Sequence, residues 1–131
     1  MGENIDRLFV IAVSSIYGVD IQDDNVLESR NRMLHILTQA YKSHIGIEIP
    51  SCVVNAVSSL LKRNIICGNT LTAESAAGQP LTFCEWEIKD SGYVICKEYH
   101  FSDLIEVNGE CNKYISKRRY SWLVDERIKV A

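Results

Sequence analysis

The chain has 131 residues with a net charge of −3, 47% hydrophobic and 24% charged, which is enough to bury one core without disulfides, metals or a cofactor. Its apolar runs, such as 8–13 and 65–67, are too short to span a bilayer, and Met1-Gly2-Glu3-Asn4-Ile5-Asp6 lacks the basic and apolar regions of a secretory leader, so a soluble, cytoplasmic protein is expected. The acidic balance excludes a surface that is basic throughout, and a nucleic-acid partner would need one local basic face.

Ile5, Leu8, Phe9, Ala12, Val13 and Ile16 recur at spacings of three and four and predict a helix over 5–17, with Asn4 as N-cap and Gly18 as stop. Residues 19–25 carry three Asp and no helical period. They read as a connection that can cap the next helix. That helix is predicted over 26–43, with Val26, Met33, Leu37, Ala40 and Tyr41 on one side and Leu27, Leu34 and Thr38 beside them. So wide an apolar stripe implies two neighbouring helices. His35 reads as a packed or partly exposed residue rather than a catalytic one, and His44 sits where a cation favours the helix dipole.

Gly46 supplies a left-handed stop, and Pro50 or Ser51 starts a third helix. Val53, Val57, Leu60 and Leu61 mark its buried face, while Ser51, Asn55, Ser58, Ser59 and Lys62 point the other way. Small polar residues of this kind suit a helix that reads a DNA groove, and equally a solvated helix. Strands are predicted over 64–67 and 81–88, the second with Cys84, Trp86 and Ile88 on one face and Phe83, Glu85 and Glu87 on the other. Trp86 is expected to anchor the core. The loop 68–80 between the strands has no Lys or Arg, and Glu74 is its one charge.

Asp90 or Ser91 is expected to cap a fourth helix over 91–100 with Val94, Ile95 and Tyr99 inward. A short helical stretch near 102–107, a turn at Asn108-Gly109 and an amphipathic tail over 113–130 follow. The five cysteines, Cys52, Cys67, Cys84, Cys96 and Cys111, are odd in number and contain no C-x-x-C pair, so buried free thiols are expected. Cys84, Cys96 and His100 form the one metal-like grouping, but no fourth ligand is evident and no metal or cofactor is expected.

The order helix, turn, helix, strand, loop, strand resembles the winged-helix group, in pattern similar to MarR-like and PadR-like bacterial regulators, over about residues 5–100. The matching phrases are Leu60-Leu61-Lys62-Arg63-Asn64-Ile65-Ile66 at the end of the third helix and Ile88-Lys89-Asp90-Ser91-Gly92 after the wing. Asn64 stands where those families use glycine, and Lys89 where they use a capping threonine. The resemblance implies an α+β, mainly α fold: one domain over 1–131, with a winged-helix core over 5–100 and an extension over 101–131.

Winged helices commonly bind duplex DNA as dimers, and on that reading the third helix places Ser51, Asn55, Ser58 and Ser59 near base edges. Lys62, Arg63, Lys117, Arg118 and Arg119 would contact phosphates. Phosphate contacts supply most nonspecific affinity, so the uncharged wing is the weak point of this expectation. Dimerisation would come from the first helix or from the tail, through Tyr114, Tyr120 and Trp122. The competing expectation is a protein-interaction module or inhibitor on the same scaffold, because Arg118, Arg119, Tyr120 and Trp122 bring together the residue types that interfaces favour. The sequence has no phosphate-binding glycine loop, no H-E-x-x-H and no nucleophile elbow, so an enzyme is not expected.

Overall fold

The computed structural model describes residues 2–104 and 114–124. In chain order the elements are α1 (Gly2–Ser14), β1 (Gly18–Asp20), α2 (Asp23–Ile45), α3 (Ser51–Asn64), β2 (Ile65–Cys67), β3 (Thr82–Ile88), β4 (Val94–His100), α4 (Phe101–Leu104) and β5 (Ser116–Tyr120). The class is α+β.

α3 is the centre of the molecule. Val53, Ala56, Val57, Leu60, Leu61 and Asn64 form its buried face, against Val10 and Val13 of α1, Val26 of α2, and Ile88 and Val94 of the sheet. Each fully buried Val or Leu contributes about 1.5–3 kcal/mol relative to exposure. Polar bonds fix how α1 and α2 sit against this core. Arg30 of α2 donates to the carbonyls of Lys62 and Ile65 at 3.0 and 2.8 Å, which satisfies the C-terminal end of α3 with a cation. Tyr41 of α2 donates to Asp6 of α1 at 2.6 Å. Burial first, and then that carboxylate, push the Tyr41 hydroxyl up to about 12.

The ends of α2 and the start of α3 follow the sequence closely, whereas α1 runs over Gly2–Ser14 rather than 5–17, so that Asn4 lies inside the helix and Gly18 opens β1 instead of stopping it. Gly46 adopts φ 87° and donates to the Lys42 carbonyl at 2.9 Å. Pro50 precedes the first turn of α3. α2 begins three residues before its predicted start, with Gln22 at the cap position and Asp23 and Asp24 in the first turn, where acids favour the helix dipole.

The strands depart from expectation. β2 does not form a hairpin with β3. It pairs in parallel with β1, Gly18 opposite Ile65 and Asp20 opposite Cys67. The loop 68–80 folds on itself through bridges from Glu74 to Asn69 and to Pro80, so it is not the tip of a wing between those two strands. The predicted fourth helix is also absent. Residues 94–100 form β4, antiparallel to β3 from Ile88 opposite Val94 to Thr82 opposite His100. Asp90-Ser91-Gly92 is therefore a hairpin turn rather than a helix cap, closed by a bond from the Lys89 amide to the Tyr93 carbonyl at 2.8 Å, with Gly92 at φ 92°. The cause is the β-branched pair Val94-Ile95 after a turn that needs positive φ.

β5 adds to the other edge of β4, from Val94 opposite Tyr120 to Glu98 opposite Ser116. Glu98 accepts from Thr82 at 2.7 Å and from Ser116 at 3.0 Å, linking all three strands. Of the helix predicted over 102–107, Phe101–Leu104 is helical. Positions 105–107, the Asn108-Gly109 turn, Cys111, Lys113 and 125–130 lie outside the described residues.

Asn64 does not take the left-handed conformation its place in the winged-helix phrase suggested. It ends α3, is fully buried, donates to the Ser14 carbonyl at 3.1 Å and accepts from the Trp86 indole at 2.8 Å. Among the described residues Ala73 is the one non-glycine residue with positive φ. The cysteines also differ from the expected buried free thiols: of the four in the described residues, Cys84 and Cys96 form a disulfide across β3 and β4 with Cα atoms 5.5 Å apart, Cys52 is exposed and Cys67 is half-buried. Strand pairing, invisible in the spacing of the cysteines, brings the two together. On a strand, Cys96 and His100 no longer meet as helical neighbours, and no group of three or more His, Cys, Asp or Glu side chains suited to a metal gathers among the described residues.

Candidate nucleic-acid interface

The outward face of α3 follows from its inward one. With six buried positions on one side of a 14-residue helix, the residues near the opposite meridian are Ser51, Asn55, Ser58 and Lys62, with Ser59 at the margin. Ser51, Asn55 and Lys62 are exposed, and Ser58 and Ser59 are half-buried. Ser58 is half-covered because it borders a small crevice with Leu27, Arg30, Asn31 and Leu34 of α2. The helix contains no Asp or Glu, so in a protein of net charge −3 this stripe is a local gap in the acidic surface.

The predicted phosphate contacts divide into three places. Lys62 stays on the stripe. Arg63, one residue on, turns about 100° away around the helix and donates to the Tyr120 hydroxyl at 2.6 Å, with its guanidinium carbon 5.8 Å from that ring. It also lies 3.9 Å from the Cys84 sulfur. Arg63 is thus occupied in joining α3 to the sheet. On β5 the side chains alternate: Arg118, opposite Cys96, shares the inner side of the sheet with Tyr120, whereas Lys117 and Arg119 share the outer side. All three cations are exposed on the edge strand.

Lys97 belongs to the outer group, although reading 91–100 as a helix hid it. It stands directly opposite Lys117 and lies 5.6 Å from the ring of Tyr114. Arg119 lies 4.5 Å from the ring of Tyr93. The same side carries Glu85 and Glu87, and Lys89, bonded to Glu87 at 2.7 Å, holds the Glu87 carboxyl below its usual range, with Lys97 and Lys117 adding to the effect. The outer sheet face is mixed in sign rather than basic. The β-branched pair Val94-Ile95 directly after a glycine turn was the signal that could have found the strand, and with it Lys97.

Of the aromatic residues expected to meet a partner, Tyr120 and Trp122 stack on each other at 4.6 Å between ring centres and pack against the core. Trp122 also reaches Trp86 at 5.7 Å. Both dock the C-terminal segment rather than face outward. Tyr114 is 47% exposed and packs edge-on against Tyr99.

No helix among the described residues is long and apolar enough to cross a membrane. Comparison with known protein families, with curated proteins and with solved structures found no match.

Proposed function

We propose that this chain is a DNA-binding regulator of the winged-helix type that acts as a dimer. One observation carries the reading: α3 follows α2 through a short Gly46-to-Pro50 turn and presents Ser51, Asn55 and Lys62 to solvent on a helix with no acidic residue. That arrangement suits a helix lying in the major groove, where Asn pairs with adenine edges and Ser with any base. The order α1, β1, α2, α3, β2 agrees with a winged helix, and the hairpin β3–β4 takes the place of the wing. Lys62 and the edge-strand cations Lys117, Arg118 and Arg119 are the candidate phosphate contacts. The exposed side of α1, with Ile5 and Leu8 42% and 60% exposed, is the candidate dimer seam.

A second reading has a specific observation in its favour. Because Tyr120 occupies Arg63 and the β5 cations divide between two sides of the sheet, the described cations form no single basic footprint around α3. A protein-interaction module would not need one. Mobility shift on promoter fragments and random duplex at low salt separates the two. The DNA reading expects binding of random duplex below about 10 micromolar, weakening steeply with salt. It also expects Asn55→Ala to relax sequence preference and Lys62→Ala to weaken all sequences alike. Absence of any shift at that concentration leaves the interaction module.

A further inference from the structure

A cleft of about 650 Å³ opens between the end of α1 with β1 on one side and the start of β3 with the end of β4 and α4 on the other. Its volume is that of a small-molecule site. Among the described residues five aromatic side chains line it, Tyr17, Phe83, Trp86, Tyr99 and Phe101, and Glu85 is the one charged side chain in its wall. No Lys, Arg or His among the described residues borders it.

The rings are held in place. Tyr17 meets Phe83 edge to face at 5.5 Å, and Phe83 meets Phe101 at 5.4 Å. Trp86 is fixed through its indole bond to Asn64. Three hydroxyls of the wall are already engaged: Ser14 donates to the Ile11 carbonyl, Ser15 to the Ala12 carbonyl and Tyr17 to the Cys84 carbonyl, at 2.6, 2.7 and 2.5 Å. What the described residues of the cleft offer an occupant is therefore chiefly aromatic surface and one carboxylate, beside the Tyr99 hydroxyl. Glu85 forms no ion pair among the described residues, because its cross-strand neighbour Lys97 lies instead against the Tyr114 ring. The field of Glu85 reaches the floor: the Tyr17 hydroxyl is raised by burial first and by the Glu85 charge second.

We propose that this cleft binds a small organic cation, an alkyl- or arylammonium whose nitrogen sits against the aromatic rings with Glu85 as its counter-ion. Ring faces carry negative quadrupole potential, so a poorly hydrated ammonium is attracted to them where a carboxylate is repelled. An anionic ligand would find no cation among the described residues here. A neutral apolar one would fit the rings but leave Glu85 without a role. The site is independent of whether α3 reads DNA.

The test uses the full chain and three matched probes: benzyltrimethylammonium, its neutral carbon isostere neopentylbenzene, and benzoate, followed by tryptophan fluorescence and by amide shifts in NMR. The ammonium is expected to bind at millimolar or lower concentration, about tenfold tighter than the neutral isostere, with shifts at 14–19 and 83–86. Glu85 is exposed, so Glu85→Gln should fold normally while weakening the ammonium about three- to tenfold and leaving the neutral probe unchanged. Lys97→Ala, which removes the nearest like charge, should tighten the ammonium. Equal or tighter binding of benzoate or the neutral probe overturns the proposal, as do an unaltered Glu85→Gln, shifts confined to other residues, or no binding by any probe up to about 10 millimolar.

Discussion

Asn64 is the one fully buried polar side chain on α3, and it connects three elements: its own helix, the end of α1 through the Ser14 carbonyl, and β3 through the Trp86 indole. A buried amide is tolerated because both ends are bonded. Asn64→Ala would leave the Trp86 N–H without its acceptor and the Ser14 carbonyl without this donor, and each unsatisfied buried group costs about 1–3 kcal/mol. A loss of about 2–4 kcal/mol in urea unfolding is the expected outcome, with a shifted Trp86 emission. A loss under about 0.5 kcal/mol would mean that water replaces the amide. The sequence showed Asn64 only as a stand-in for glycine, because its partners lie 50 and 22 residues away. Arg63 was hidden in the same way. Local spacing places a cation beside Lys62, but the Tyr120 hydroxyl that occupies it is 57 residues further along. The stripe of Ser51, Asn55 and Lys62, by contrast, was legible, since one helix's apolar period fixes which side faces out.

At the scale of elements, helical periodicity carried α1, α2 and α3, and failed at β4. Val94, Ile95 and Tyr99 satisfy a helical spacing, and a plain strand alternation is broken because Tyr99 is buried on the side that otherwise faces solvent. Its register partner Phe83 is buried there too, with Tyr17 and Phe101 against it. An aromatic cluster covering one end of a sheet face thus disguised the strand. The hairpin turn supplies a sharp check on this assignment. At Gly92, with φ 92°, an added Cβ would fall on the Leu123 carbonyl, whereas at Gly78, with φ 78°, it would meet only the end of the Glu74 side chain at 3.8 Å. Both alanine variants incur about 1–2 kcal/mol of left-handed strain. Gly92→Ala adds a backbone clash and should cost about 3 kcal/mol or more, loosening the segment 121–124 that carries Trp122. Thermal unfolding that ranks the two variants equal would remove the close approach of Leu123 to the turn.

Across the whole molecule, the core draws from α1 only one side of the helix. Val10, Val13 and Ser14 are buried, while Ile5, Leu8, Ala12 and Ser15 are exposed at spacings of three and four. That outer stripe bears no charge. Two copies packed along it about a twofold axis would be self-complementary and would place two α3 helices on one assembly, as a dimeric site on DNA requires. A helix of 13 residues is about 20 Å long, so the area it can bury lies near the lower bound of stable interfaces, and a dissociation constant in the micromolar range is expected. Leu8 is 60% exposed within one chain. Leu8→Lys should therefore leave the unfolding temperature of the dilute protein unchanged, yet raise the dimer dissociation constant at least about tenfold, because each dimer would bury two unpaired ammonium groups. Thermal unfolding reads the first effect and sedimentation velocity over a concentration series the second, and in a mobility shift a dimer-dependent DNA complex should weaken in parallel. A wild-type chain that stays monomeric at about 100 micromolar, or a variant that dimerises as well as the wild type, would exclude α1 as the seam.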